Sequence, residues 1–188
     1  MTNEQLRAEF KNLIWKTATD LVHGGKVSPV QFMDFMLGSL FYRFISENLT
    51  THCNRLMHEA GVENADYANM SDEDAEVARN QMVNEKGFFI LPSQLFIKVA
   101  NNARKNKELN TTLANIFKSI EDSAIGTASE DDVKGLLPTS TPTTLDSAAQ
   151  WLNVVRCSLT CSKRCVISIL RNTNNRALMC SALAMNTS

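Results

Sequence analysis

Residues 36–49 read MLGSLFYRFISENL, an apolar run with an arginine and a glutamate set into it at helical spacing. Phe32, Phe35, Met36, Leu40, Phe41, Phe44, Ile45 and Leu49 together cover more than half of a helix circumference, which predicts a helix central to its domain. Ser28 as N-cap, Pro29 at the first helical position and Gln31 mark its start, and the pattern continues to about Leu56. Gly38 would let a neighbouring helix approach closely. Arg43 and Glu47 are four apart and can pair on the remaining face. With the cation N-terminal this is the weaker orientation, worth roughly a few tenths of a kcal/mol if exposed. On pattern alone the run is a core helix with one paired polar edge.

Working outward, Thr2 and Gln5 form a capping box, followed by Leu6, Phe10, Leu13, Ile14, Leu21 and Val22 on one face and by Gly24-Gly25 as a stop. The segment 59–76 is acidic, with Glu59, Glu63, Asp66, Asp72, Glu73, Asp74 and Glu76. Ser71 and Asp74 cap a further helix that should end before Gly87. FFIL (88–91) is a short extended run stopped by Pro92, too short to seed a sheet. PSQLFIKVANNARK restarts a helix at Pro92. Leu109, Leu113, Ile116, Phe117 and Ile120 then form a stripe closed by Gly126, and Ser129 opens a last short helix. Five or six helices and no convincing sheet predict an all-α bundle.

The chain has 188 residues, enough for one domain with an appendage. Its net charge of −1 conceals an asymmetry: residues 1–146 carry 14 Lys+Arg against 20 Asp+Glu, and residues 147–188 carry five basic residues and no acid. Cys53 stands alone in the first part, whereas Cys157, Cys161, Cys165 and Cys180 crowd the second. A break this sharp predicts two segments of different origin. No run approaches the ~20 apolar residues of a membrane span. The start MTNEQLRAEF lacks a basic-then-apolar signal pattern, so the expected location is cytoplasmic.

The sequence holds no glycine-rich turn after a strand, no Walker-type run and no Pro-Pro loop. That excludes the usual cradles for nucleotide or methyl donors, and no catalytic residue is assigned. His52 and His58 are six apart, off the i,i+4 face of helical zinc pairs, and the histidines are expected to be solvated. The acids at 72–76 lack the glycine and distal glutamate of a calcium loop and read as a favourable helix start. CSLTCSKRC (157–165) has cysteines at spacing four, unusual for zinc, so no metal is expected. Lys98, Arg104, Lys105 and Lys107 gather basic charge that can neutralise DNA phosphates, although a helix C-terminus also favours cations.

LGSLFYRFISENLT (37–50), KGFFILPSQLF (86–96), LNTTLANIFKSIEDSAIG (109–126) and SEDDVKGLL (129–137) occur in an order that resembles the N-terminal helical domain of the methylation subunit of type I restriction–modification systems. The resemblance covers nearly all of residues 3–137, placing a helical domain at 1–137 and a tail at 138–188. It implies that Tyr42, Arg43, Glu47, Pro92 and Ser93 are family-motif positions. In that family a second, Rossmann-like domain binds S-adenosylmethionine and methylates adenine through an Asn-Pro-Pro-Phe loop. The helical domain helps enclose DNA beside specificity and other methylation subunits. The resemblance therefore implies DNA and those subunits as partners. It implies no cofactor and no catalysis for these 188 residues, which lack the loop. A stand-alone helical adaptor for protein partners is the alternative.

Beyond Leu137 the pattern departs. PTSTPTTLDSAAQWLN (138–153) stands where the family resembles Ala-Asp-Phe-Asp-Thr and then Arg-Leu-Gly-x-Thr-Val. Back-translated and read from the third base of each codon, the stretch permits those family-like residues. The expectation is a frameshift near Leu136–Leu137 and an out-of-frame, poorly specified tail, which would account for the missing acids and surplus cysteines together.

Overall fold

The computed structural model describes the backbone of residues 29–134 and the side chains of residues 37–134 other than Asp132. The expected first helix with its Thr2 box, the Ser28 cap and the cysteine-rich tail lie outside the described residues. In chain order come α1 (Pro29–Glu59), a single 3-10 turn (Tyr67–Asn69), α2 (Asp72–Val77), α3 (Arg79–Lys86), a second 3-10 turn (Pro92–Gln94), α4 (Phe96–Asn102), α5 (Leu109–Ala124) and α6 (Glu130–Val133). The described residues contain no strand, and the fold is all-α.

The helix α1 is the axis of the structure. Every residue from Gly38 to Ser46 is buried, so this part of the helix is surrounded on all sides, as its apolar girth requires. Past Leu49 the helix emerges, and Thr51 and Arg55 are exposed. It runs three residues beyond the expected Leu56, because Gly61 supplies the left-handed stop (φ 82°). The Val62 amide returns to the Met57 carbonyl (3.0 Å) and the Gly61 amide to that of His58 (3.0 Å), satisfying the last carbonyls.

Two expected helices are broken. The Ser71 cap forms as predicted, its Oγ accepting the Asp74 amide at 3.1 Å, but the helix divides at Ala78 (φ −88°, ψ 0°) into α2 and α3. At the break Glu76 accepts from Arg79, whose guanidinium carbon lies 4.6 Å from the centre of the Phe89 ring. The helix expected from Pro92 is likewise only a 3-10 turn. Leu95 is extended (ψ 141°), and α4 begins at Phe96. The physical reason is tertiary: Ser46 Oγ on α1 accepts the Phe96 amide at 3.0 Å, a cap supplied by another helix.

The FFIL run is extended without joining a sheet, and its buried backbone must find partners elsewhere. Ser123 Oγ on α5 accepts the Phe89 amide at 2.9 Å, and the Tyr67 hydroxyl donates to the Ile90 carbonyl at 2.7 Å. Phe88, Phe89 and Ile90 are all at most 2% exposed. The whole predicted stripe of α5 is buried, and Val133 of α6, 1% exposed, closes that end of the core. Gly87 makes the closure fit. Its φ is +79°, and a Cβ there would lie 2.1 Å from Ser129 Oγ.

Candidate functional site

The family-motif residues are joints of the fold. Tyr42 is 0% exposed, and its ring meets Phe96 (centroids 5.5 Å, 74°) and Phe117 (5.3 Å, 78°) edge to face. Its hydroxyl donates to the backbone carbonyl of Gln94. Burial pushes the phenol well above its ordinary range, so it stays protonated and serves as a donor. The Arg43–Glu47 pair forms at 2.7 Å, but it is no exposed edge: the Arg43 side chain is 10% exposed and that of Glu47 31%. Pro92 is buried and Ser93 exposed. Ser93 offers its amide (3.0 Å) and hydroxyl (2.6 Å) to the two oxygens of Asp72, fastening the second 3-10 turn to the start of α2.

Most of the acids of 59–76 have a partner in the fold. Asp66 accepts the Ala68 amide (3.1 Å) and Asn69 Nδ2 (2.8 Å), Asp72 holds Ser93, and Asp74 closes the Ser71 box. Glu59 pairs with Arg55 at 2.7 Å. Among the described residues no group of three His, Cys, Asp or Glu is placed to hold a metal ion.

His58 is exposed as expected, but His52 is a correction. Its side chain is 9% exposed, and Nε2 lies 2.6 Å from Glu85 Oε2, joining α1 to α3. Arg55 donates to Nδ1 at 3.3 Å, which leaves Nε2–H as the donor to Glu85. Gln81 also donates to Glu85 (2.9 Å), and the Gln81 and His52 hydrogen bonds hold this carboxyl below its ordinary range. Cys53 is buried with its Sγ 3.5 Å from Met82 Sδ, and burial pushes the thiol up to about 12. It is an inert core residue.

Of the four basic candidates, three are exposed within one turn and the fourth is half-buried. Arg104, Lys105 and Lys107 are exposed in the turn between α4 and α5. Lys98 sits half-buried on α4, its Nζ donating to Asn69 Oδ1 at 3.2 Å. The turn is braced from within. Asn106 Nδ2 donates to Thr112 Oγ1 (2.8 Å), Asn106 Oδ1 accepts the Glu108 amide (2.9 Å), and the Lys105 amide reaches the Asn102 carbonyl (2.9 Å). Arg104 and Lys105 follow the C-terminus of α4, where a helix dipole favours cations. Lys107 precedes the sixteen-residue α5, where the dipole disfavours it. Glu108 offsets that charge in part. Helix electrostatics therefore account for two of the three cations and not for the third.

Sequence reasoning missed a second polar feature. A surface hollow of about 300 Å³ lies between Arg79 at the start of α3 and Asn115, Lys118, Ser119, Asp122 and Ser123 of α5. The exposed residues of α5 were legible as the complement of its apolar stripe. Arg79 was not, because only the break at Ala78 and the Phe89 ring bring it there.

No described helix is long and apolar enough to cross a membrane, and no solved structure matches the chain. The type I restriction enzyme MpnII methylase subunit of Mycoplasma pneumoniae (strain ATCC 29342 / M129 / Subtype 1) is 38% identical over 144 residues, covering 71% of this chain and 26% of that protein. The chain thus spans about a quarter of that relative's length. The family described as HsdM N-terminal domain matches residues 10–155, a range that takes in α1 to α6 and every joint described above. With the joints LFYRF, FFILPSQLF and the α5 stripe all lying inside that match, the chain belongs to the HsdM N-terminal domain family, the helical N-terminal part of type I restriction–modification methylase subunits.

Proposed function

We propose that this domain is a non-catalytic part of a type I methylation subunit, which packs on other parts of the complex and lays its α4–α5 turn against the DNA backbone. The observation that supports the DNA contact is the turn itself: three exposed cations on a braced loop, with no acidic residue anywhere from Phe88 to Lys107. Such contacts position a protein on a duplex without reading its sequence. Recognition of bases belongs to another subunit in this reading. Lys98 contributes less than the other three because Asn69 already holds it.

The test is binding of a short duplex of arbitrary sequence over a salt series. Replacing Arg104, Lys105 and Lys107 by alanine should weaken binding at low salt. Each lost phosphate contact should flatten the log–log salt slope by about 0.9. Unchanged affinity in the triple variant overturns the contact. The same chain should neither bind S-adenosylmethionine in a calorimeter nor transfer a labelled methyl group to adenine, since its sequence holds no cofactor loop. Transfer above the blank would contradict the non-catalytic assignment.

A protein-adaptor role draws on Val77, 87% exposed at the end of α2 beside the acidic segment. Salt-insensitive capture of a protein partner, with no DNA retardation, would favour it. For residues 138–188 we propose out-of-frame origin, supported by the charge reversal and the cysteine excess. The family match reaches residue 155, past Leu137. The nucleotide sequence across codons 135–155 decides the matter: a methyltransferase frame running on in another register supports the proposal, and its absence removes it.

A further inference from the structure

The basic turn leads directly into α5, and the exposed face of that helix continues away from it. Thr111, Asn115, Lys118 and Asp122 are all exposed and follow one another at spacings of four, three and four, so they stand in one line. From Thr111 to Lys118 the helix rises about 10 Å. At Lys118 the line meets the hollow, where Arg79 approaches from α3. Arg79 is oriented in advance: Glu76 accepts from Nε (2.5 Å) and Nη2 (3.0 Å), and the Phe89 ring lies under the guanidinium. This leaves Nη1 for an incoming acceptor in a hollow that Lys118, Asn115 and Ser119 also line. Those are the side chains that contact phosphate oxygens in nucleic-acid complexes.

We infer that the Arg79–Lys118 hollow is a second contact point for a nucleic-acid backbone, in line with the basic turn, so that α5 lies along the strand. The inference rests on the phosphate-contact reading of the turn. From Leu109, which follows the turn, to Lys118 the helix rises about 14 Å, which corresponds to about four phosphates of rise along one strand. Glu76 and Asp122 counter the charges of Arg79 and Lys118, so the hollow adds little to long-range attraction. Its contribution is a hydrogen-bonded register point. Asp122, at the far end of the line, limits how closely a phosphate seats.

The experiment measures anisotropy of a labelled short duplex of arbitrary sequence with the full chain across a salt series. Lys118→Ala should weaken binding at low salt, flattening the salt slope by less than the roughly 0.9 of a fully neutralised phosphate, and Asp122→Asn should raise affinity. Both residues are exposed, so neither change threatens the core, and circular dichroism confirms the fold. If both variants bind like the unmodified chain while the Arg104, Lys105 and Lys107 triple variant weakens, the second contact point is refuted and the turn stands. If the triple variant is also unaffected, or the unmodified chain does not bind duplex at low salt, both readings fall together.

Discussion

Replacing Tyr42 by phenylalanine removes one hydroxyl from the centre of the molecule and nothing else. The rings of Phe96 and Phe117 keep their edge-to-face contacts, because the phenyl ring occupies the same place. What is lost is the hydrogen bond to the Gln94 carbonyl, which ties the middle of α1 to the turn preceding α4. A net hydrogen bond is worth about 0.5–1.5 kcal/mol, and a buried acceptor left without its partner costs about 1–3 kcal/mol. Gln94 is half-buried, which puts the expected loss near the bottom of the second range, at about 1–2 kcal/mol. Tyr42→Ala also removes the ring and should cost about 3–5 kcal/mol. Urea denaturation followed by circular dichroism reads both, and duplex binding is measured alongside. The expected result is a lower unfolding midpoint for Tyr42→Phe with DNA affinity unchanged. Full stability combined with weakened binding would refute the reasoning, because the hydroxyl would then serve a ligand. Alkaline titration supplies a second check. The folded phenol ionises above its unfolded value of 10.0, so its stabilisation is complete below that pH and erodes above it. Tyr42→Phe should make that alkaline limb shallower.

Three further outcomes test the same architecture. Gly87→Ala should destabilise by about 2–5 kcal/mol, combining left-handed backbone strain with collision against Ser129, whereas Gly61→Ala, with open space around it, should cost only the strain, about 1–2 kcal/mol; equal losses in urea melts would remove the collision from the account. Glu85 is held below its ordinary carboxyl range by Gln81 and His52, so its contribution is present above the unfolded value of 4.5 and disappears as pH falls through the folded one. Glu85→Gln should therefore flatten the acid limb of the stability–pH curve, and an unchanged limb would show that the network contributes nothing. Cys53, buried and raised to about 12, should resist alkylation at pH 8 in the native state and react in urea, as read by peptide mapping; rapid native labelling would mean that the core opens there.

The long elements were legible because their burial follows from their own period. Residues 37–49 are apolar around the helix, and the α5 stripe from Leu109 to Ile120 is apolar on one side, so each dictates its environment. The local caps were equally legible, since Ser71–Asp74 needs no distant partner. What could not be read were helices ended by other parts of the chain. The break at Leu95 depends on Ser46, fifty residues earlier, taking the Phe96 amide. Burial of His52 depends on Glu85, thirty-three residues later. The candidate surface shows the same division: the cations at 104–107 are visible as a run, but the hydrogen bond that holds Lys98 to Asn69 in a remote turn is not.

That division bears on where function resides in this domain. Apart from α1 and α5, its described helices are eight residues or fewer, too short to persist alone in water. They exist because side chains from elsewhere terminate and brace them: Tyr42 and Ser46 from α1, Ser93 against Asp72, Ser123 and Thr127 against the extended run. A motif such as LFYRF or FFILPSQLF is therefore the record of a set of joints, and altering it should unfold a short helix before it touches a ligand. Contact with a partner falls to surfaces that the joints hold in place. In the reading proposed above those are the braced turn at 104–107 and the exposed line of α5, where substitution changes charge without loosening the core. Variants of the two kinds should separate cleanly, the first moving stability at constant affinity and the second moving affinity at constant stability. A turn variant that also melts early would show that the cations are structural after all.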